Sequence, residues 1–284
     1  KFARLIDLQY YSMTVFPIYG LDVIFPFHTM YPEQKKFMGQ LKLSFDDNAP
    51  CILEIPSGCG KNIAAFSLIL SYLAVNPDMG PLIYCVSSLA SIDRVLKDLK
   101  IVTDARKTIS NLDFDANLKV ISLLPKSVSC INQKVRSQSN IQVACACSIF
   151  DNGKNPCEFF ANTPESFPSN LLSIEDSIDY FGKCNSCPYF SPRRLCNQAN
   201  IIICSPEELL SPRSSSHLLS ALPQNTIIVF EDANSLDFSC CNMMSYGFSK
   251  ICVEKAIAAR KQAQDAYTRQ KSINEENIRQ AYEK

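Results

Sequence analysis

The stretch Glu54-Ile55-Pro56-Ser57-Gly58-Cys59-Gly60-Lys61-Asn62 decides how the rest of the chain is read. A short apolar run, Cys51–Ile55, precedes it, and an apolar pattern of helical period runs on from Asn62 to Val75. Strand, glycine loop and helix in that order are the context a phosphate-binding loop needs. Glycines 58 and 60 let the backbone turn its N–H groups around phosphate oxygens, and the helix N-terminus adds a favourable dipole. Lys61 would set its ammonium on the outer phosphates. Ser57, Gly58, Cys59, Gly60, Lys61 and Asn62 are therefore the candidate ATP-binding residues. One position departs from the pattern. A Ser or Thr hydroxyl normally follows the lysine and ligates Mg²⁺; here the residue is Asn62, whose amide is bulkier.

Such a loop needs a buried strand that ends in carboxylates. Ile227-Ile228-Val229-Phe230 followed by Glu231-Asp232-Ala233-Asn234 meets that need. Lys61, Glu231 and Asp232 are the candidate catalytic residues. Further strand-like runs lie at Pro81–Val86, Lys119–Leu124, Ile201–Cys204 and Thr226–Phe230, with helical patterns at Asn62–Val75 and Ser91–Lys100. Apolar strands alternating with helices predict an α/β domain with a mainly parallel sheet.

The 284 residues are 46% hydrophobic, enough to bury a full core. Basic and acidic residues number 28 each, so the overall field does not announce a nucleic-acid partner and any such site must be local. Lys1–Gly20 does not read as a signal peptide, and no apolar run is long enough to span a bilayer. The 14 cysteines suit a reducing compartment, with thiols free, buried or bound to metal. Cys51, Cys85 and Cys204 sit inside strand-like runs and read as ordinary core residues.

The strand–helix rhythm breaks between Val128 and Gln198. That segment carries Cys130, Cys145, Cys147, Cys157, Cys184, Cys187 and Cys196 among prolines, asparagines and serines. Its aliphatic content is too low for a conventional core, which predicts an insert held by something other than burial. Four thiolates without a nearby imidazole suit iron–sulphur or Zn²⁺; His28 and His217 both lie outside the insert. Beyond Phe248 the composition turns to Ala, Gln, Lys and Glu, and Val253–Lys284 reads as long solvated helix.

The order of these segments resembles the XPD family of superfamily 2 helicases, from about Gly20 to Asp237. Phe25-Pro26-Phe27 with Tyr31-Pro32-Glu33-Gln34 resembles the family's entry motif, and the resemblance gives Gln34 the adenine edge. Leu82-Ile83-Tyr84-Cys85 before the Ser91–Lys100 helix resembles motif Ia, although Val86-Ser87-Ser88 lacks the family's arginine. Glu231-Asp232-Ala233-Asn234 resembles a DEAH box with its first two acids exchanged and its His replaced. Positioning errors of about 1 Å cost on the order of 10²-fold in rate, so ATP binding is better supported than fast hydrolysis.

The resemblance implies a [4Fe–4S] cluster on Cys130, Cys147, Cys157 and Cys187, with Cys145 an alternative to Cys147. A zinc knuckle on Cys145, Cys147, Cys184 and Cys187 is the rival set. Lys126 stands where the family has an arginine, and Lys126, Tyr189, Phe190, Arg193 and Arg194 form a candidate DNA track, aromatics stacking on bases. Those aromatics can equally pack the cluster shell.

In domain terms, the resemblance implies a RecA-like parallel-sheet motor domain (1–127 and 199–247), an Fe–S insert (128–198) and the start of a helical arch (248–284). It covers well under half of such a helicase. What it implies in function is an ATP- and Mg²⁺-dependent 5′→3′ helicase on single-stranded or forked DNA. The enzyme would act in excision repair and transcription initiation within TFIIH in the nucleus, contacting core subunits and the kinase assembly. The alternative is a degenerate scaffold that binds nucleotide and partners without unwinding DNA.

Overall fold

The computed structural model describes residues 14–109, 113–137, 143–151, 157–164, 167–168, 173–211, 218–219, 222–245, 247 and 250–282. His217, the Phe248 boundary and most of Lys1–Gly20 lie outside the described residues. Two units divide the chain, Lys1–Asp237 and Phe238–Lys284.

Tyr19 and Gly20 both take positive φ, 44° and 80°. This twist suits a two-residue hairpin loop, and it joins the antiparallel strands β1 (Thr14–Ile18) and β2 (Leu21–Phe25). The hairpin had no counterpart in the sequence reading. It packs on α1 (Pro32–Asp46), which starts with proline at its first position, where the missing N–H costs nothing. Next comes α2 (Lys61–Val75), apolar on nearly every face, with Ala64 through Ser71 all buried. A helix of that kind belongs inside a layered fold.

Leu82–Cys85 forms β3, and all four of its side chains are buried. Alternation along β3 sends Leu82 and Tyr84 into one core and Ile83 and Cys85 into the other. Around β3 the sheet is parallel, in the order β4 (Val120–Ser122), β5 (Ile201–Cys204), β3, β6 (Ile227–Phe230). The first core is filled by α1, α2 and α3 (Leu89–Ile109). A short helix, α4 (Asp113–Ala116), leads into β4.

The second core draws on residues of the cysteine-rich segment. Between β4 and β5 lie α5 (Lys126–Ser129), α6 (Gln133–Arg136), α7 (Val143–Asp151), α8 (Ile174–Lys183) and α9 (Phe190–Leu195). Phe181 of α8, Leu195 of α9 and Cys196 are buried against Ile83, Ile121 and Ile202. Leu209 of α10 (Pro206–Leu210) joins them. Hydrophobic burial therefore anchors the latter part of this segment, which the low aliphatic content had not suggested.

Cys51–Ile55 corrects the strand reading: it makes no sheet pairing. Ile52 is 95% exposed, and Cys51 is exposed rather than a core residue. β6 pairs with β3 alone and ends the four-stranded sheet. Without a strand beside it among the described residues, the segment gains neither ladder hydrogen bonds nor a facing layer. Cys85 and Cys204, by contrast, are fully buried opposite one another on β3 and β5.

α11 (Leu236–Met244) starts at the end of the first unit, and the second unit holds the 33-residue α12 (Lys250–Tyr282). The helix expected at Val253–Lys284 thus starts three residues earlier than its sequence pattern suggested. Lys250–Glu254 and Lys271–Glu275 pair at 4.0 and 3.8 Å across one turn, worth a few tenths of a kcal/mol each.

One buried ion pair ties the first unit together. Arg106 of α3, 1% exposed, meets Asp115 at 2.6 Å and donates to Ser71 Oγ of α2 at 2.8 Å. Ser71 Oγ also accepts from Ile24 N of β2. Arg106→Met removes the cation from a carboxylate that is 4% exposed and should cost about 3–5 kcal/mol in denaturant unfolding. The double variant Arg106→Met/Asp115→Leu should recover most of that loss, because no uncompensated charge remains.

Candidate functional site

The loop 56–60 is shaped by its own backbone. Cys59 N–H turns back to Pro56 O at 3.3 Å, and Gly58 and Gly60 sit at φ +84° and +67°. Gly60 caps α2, and its carbonyl accepts the first helical bond, from Ala64 N. A Cβ at Gly60 would lie 3.1 Å from Gln34 Nε2, in a conformation L side chains rarely take. Gln34 is buried and braces the loop: its Nε2 donates to Cys59 O at 2.7 Å and its Oε1 accepts from Tyr31 N at 3.0 Å. The side chain expected to read adenine thus holds the phosphate loop to the start of α1.

The acids stand across from this loop because β6 lies next to β3. Glu231 N–H extends the β3–β6 ladder to Cys85 O at 2.9 Å. Asp232 turns the chain through a left-handed conformation, φ 54° and ψ 54°. Lys61 Nζ meets Asp232 Oδ1 at 2.5 Å and Glu231 Oε1 at 3.3 Å. Desolvation lowers the Lys61 pKa, but Asp232 and Glu231 outweigh it and hold the ammonium above its ordinary value. Arg94 of α3, which the sequence reading missed, also donates to Glu231 Oε1, at 3.2 Å. Glu231 is 2% exposed on its side chain, and its Oε2 is buried without a hydrogen-bond partner. An unpartnered buried carboxylate oxygen on the acid that meets Lys61 suits a bound cation or water.

Asn62 does not join this group. Its Nδ2 donates to Asp98 Oδ2 at 3.0 Å, and its Oδ1 accepts from the Tyr84 hydroxyl at 3.0 Å. Burial, then the charge of Glu231, raises the Tyr84 pKa, so the phenol stays protonated and donates. Asp98 is raised by burial as well, against the opposing pull of Asn62 and Arg94. Both ends of the Asn62 amide are tied beneath the loop. Lys61, the loop amides and Glu231 Oε2 fit a magnesium nucleotide; Asn62 does not present a ligand to its metal.

The second constellation lies in the cysteine-rich segment. Cys130, Cys147, Cys157 and Cys187 line one cavity, walled by Ile131, Val135, Phe159, Phe160 and Phe190. Cys130 caps the end of α5, Cys147 lies on α7, and Cys187 precedes α9. Residues two apart on a helix differ by about 200° in direction, so Cys147 turns inward while Cys145 is exposed. Cys184 of the rival set is exposed too and does not line the cavity.

Burial raises the Cys130 and Cys147 thiols above their ordinary range, and their mutual field with Cys157 and Cys187 adds to it. Among the described residues no three His, Cys, Asp or Glu groups converge to hold a single metal ion. The all-thiol donor set and apolar walls fit a four-iron cluster.

The basic residues of the proposed DNA track are engaged within the chain. Lys126 Nζ lies 5.0 Å from both the Tyr189 and Phe190 ring centres and only partly offsets the rise that burial imposes on the Cys147 thiol. Arg193 stacks on Tyr189 at 3.6 Å, donates to Tyr189 O and Leu124 O, and pairs with Glu208. Arg194 donates to Phe160 O and Thr163 Oγ1. These contacts place Tyr189, Phe190, Arg193 and Arg194 in the shell that surrounds the thiol cavity.

The DEAD_2 family model matches residues 84–253. The general transcription and DNA repair factor IIH helicase subunit XPD of Dictyostelium discoideum is 33% identical over 285 residues, 95% of this chain and 36% of that protein. Its Schizosaccharomyces pombe counterpart is 30% identical over 286 residues, covering 95% and 37%. The chain thus spans about a third of the length of these relatives. A solved XPD helicase structure shares the fold at TM-score 0.52 and 17% identity, over 74% of this chain and 34% of its own. No helix of the described residues is long and apolar enough to cross a membrane. With the family model covering more than half of its length, the chain belongs to the DEAD_2 family and is of the XPD type.

Proposed function

We propose that this chain is the nucleotide-binding part of an ATP-dependent DNA helicase of the XPD type. The observation that carries the reading is Lys61 meeting Asp232 and Glu231 at 2.5 and 3.3 Å across the loop that fits phosphate. Nucleotide phosphates would take Lys61 from the acids and leave Glu231 and Asp232 to a metal and its water. Ser57, Gly58, Cys59 and Gly60 supply the loop around those phosphates.

The cavity of Cys130, Cys147, Cys157 and Cys187 supports a [4Fe–4S] cluster, which contributes a rigid, covalently ligated centre to the insert. Lys126, Tyr189, Phe190, Arg193 and Arg194 would shape the insert surface that meets the single strand at a fork. The relatives named as general transcription and DNA repair factor IIH helicase subunits support a role in repair and transcription, and the chain would work with 5′→3′ polarity in excision repair and transcription initiation. Its partners would be the TFIIH core and kinase assembly in the nucleus.

A second reading is favoured by one observation. Asn62 is bound to Tyr84 and Asp98 and withholds the ligand that completes a magnesium site, which suits a nucleotide-binding scaffold with slow or absent turnover.

Single-stranded-DNA-stimulated ATP hydrolysis by the full-length protein separates the two. Turnover abolished by Lys61→Ala supports the motor. Nucleotide binding that Lys61→Ala weakens at least about tenfold, without any turnover in the parent, supports the scaffold. For the cluster, Cys147→Ser should remove the visible absorbance and iron of anaerobic protein, whereas Cys145→Ser should keep both. The reverse pattern would overturn the ligand assignment.

A further inference from the structure

We propose that Asn132 is a positioning residue for the thiol site, whose side-chain amide donates to the Cys157 sulphur and so raises the cluster's reduction potential. The inference rests on the iron–sulphur reading above and deepens it. Asn132 follows Cys130 by two residues and is 5% exposed. Its Nδ2 lies 3.2 Å from Cys157 Sγ. Its Oδ1 accepts from Lys134 N at 2.9 Å, the N-cap bond of α6. That cap settles the orientation of the amide: the carbonyl end is held by the helix, so the N–H end faces the sulphur.

Asn132 thus donates to a sulphur 25 positions away in sequence, and in space both border one cavity together with Cys130. The remaining wall is apolar, so few other dipoles offset charge gathered on the sulphurs. Four thiolates around an iron–sulphur core leave the site net negative, and one-electron reduction adds a further negative charge. Hydrogen bonds to the sulphurs stabilise that more negative state preferentially. Shielding from solvent strengthens the effect, because the local dielectric is low.

The competing account makes Asn132 a helix cap and nothing more. Two substitutions separate these roles. Asn132→Ser keeps capping ability, since Ser is as good an N-cap, but its side chain is too short to reach Cys157. Asn132→Asp keeps the shape and the acceptor and lacks the N–H. The full chain is prepared anaerobically, its iron and visible absorbance are measured, and the one-electron couple is followed by mediated potentiometric titration. Both variants should show a lower potential than the parent and lose iron in air about tenfold faster, the scale on which such supporting contacts act. An unchanged potential and unchanged air stability in both variants would overturn the proposal while leaving the cluster in place. A parent protein that holds no iron would overturn the cluster reading itself, and this inference with it.

Discussion

Burial of β3 on both faces is the constraint from which the rest follows. Its four side chains alternate into two separate cores, so a layer of helices must cover each side. Each apolar side chain so buried contributes on the order of 1.5–3 kcal/mol, and the backbone is satisfied only with a strand on either edge. β5 and β6 fill those edges in register. The pairing with β6 sets Glu231 one ladder step beyond Phe230, at the carboxyl end of the sheet. The pairing with β5 places the cysteine-rich segment, which enters from β4 and leaves into β5, over the opposite core.

The cluster at the glycine loop and the thiol cavity therefore share a scaffold but use different physics. At the loop, charge is the organising quantity: two cations, Lys61 and Arg94, converge on a carboxylate that is nearly excluded from water. Such a cluster is stable because each charge has a partner. In the thiol cavity the polar groups are few, and aromatic rings with cations stacked on them form the wall and rim. The guanidinium of Arg193 is held by a ring, two carbonyls and a carboxylate at once, which fixes Tyr189 and Phe190 against the cavity.

Asn62 shows how one substitution redirects a motif. A threonine hydroxyl at that position is short and points at the nucleotide's metal. The longer asparagine amide reaches down to Tyr84 and Asp98, turning a ligand position into a brace between α2, β3 and α3. Gln34 illustrates the same economy from the other side, holding the loop through Cys59 O.

The sequence by itself determined the class of fold, the phosphate loop, the acidic strand and the thiols of the insert. Each of these is carried by local pattern: apolar runs of strand length, glycines before a lysine, cysteines in a segment without a core. Cys51–Ile55 was misread because strand pattern does not include the neighbour a strand requires. The hairpin at Tyr19–Gly20 was missed because its first turn residue is a tyrosine, outside the usual Asn-Gly signal. Only the tertiary structure decided that Cys147, not Cys145, faces the cavity, and that Arg94 and Asn132 reach Glu231 and Cys157. Those contacts join residues 137 and 25 positions apart. Their partners are chosen by how the layers pack, and that information is spread over the whole chain.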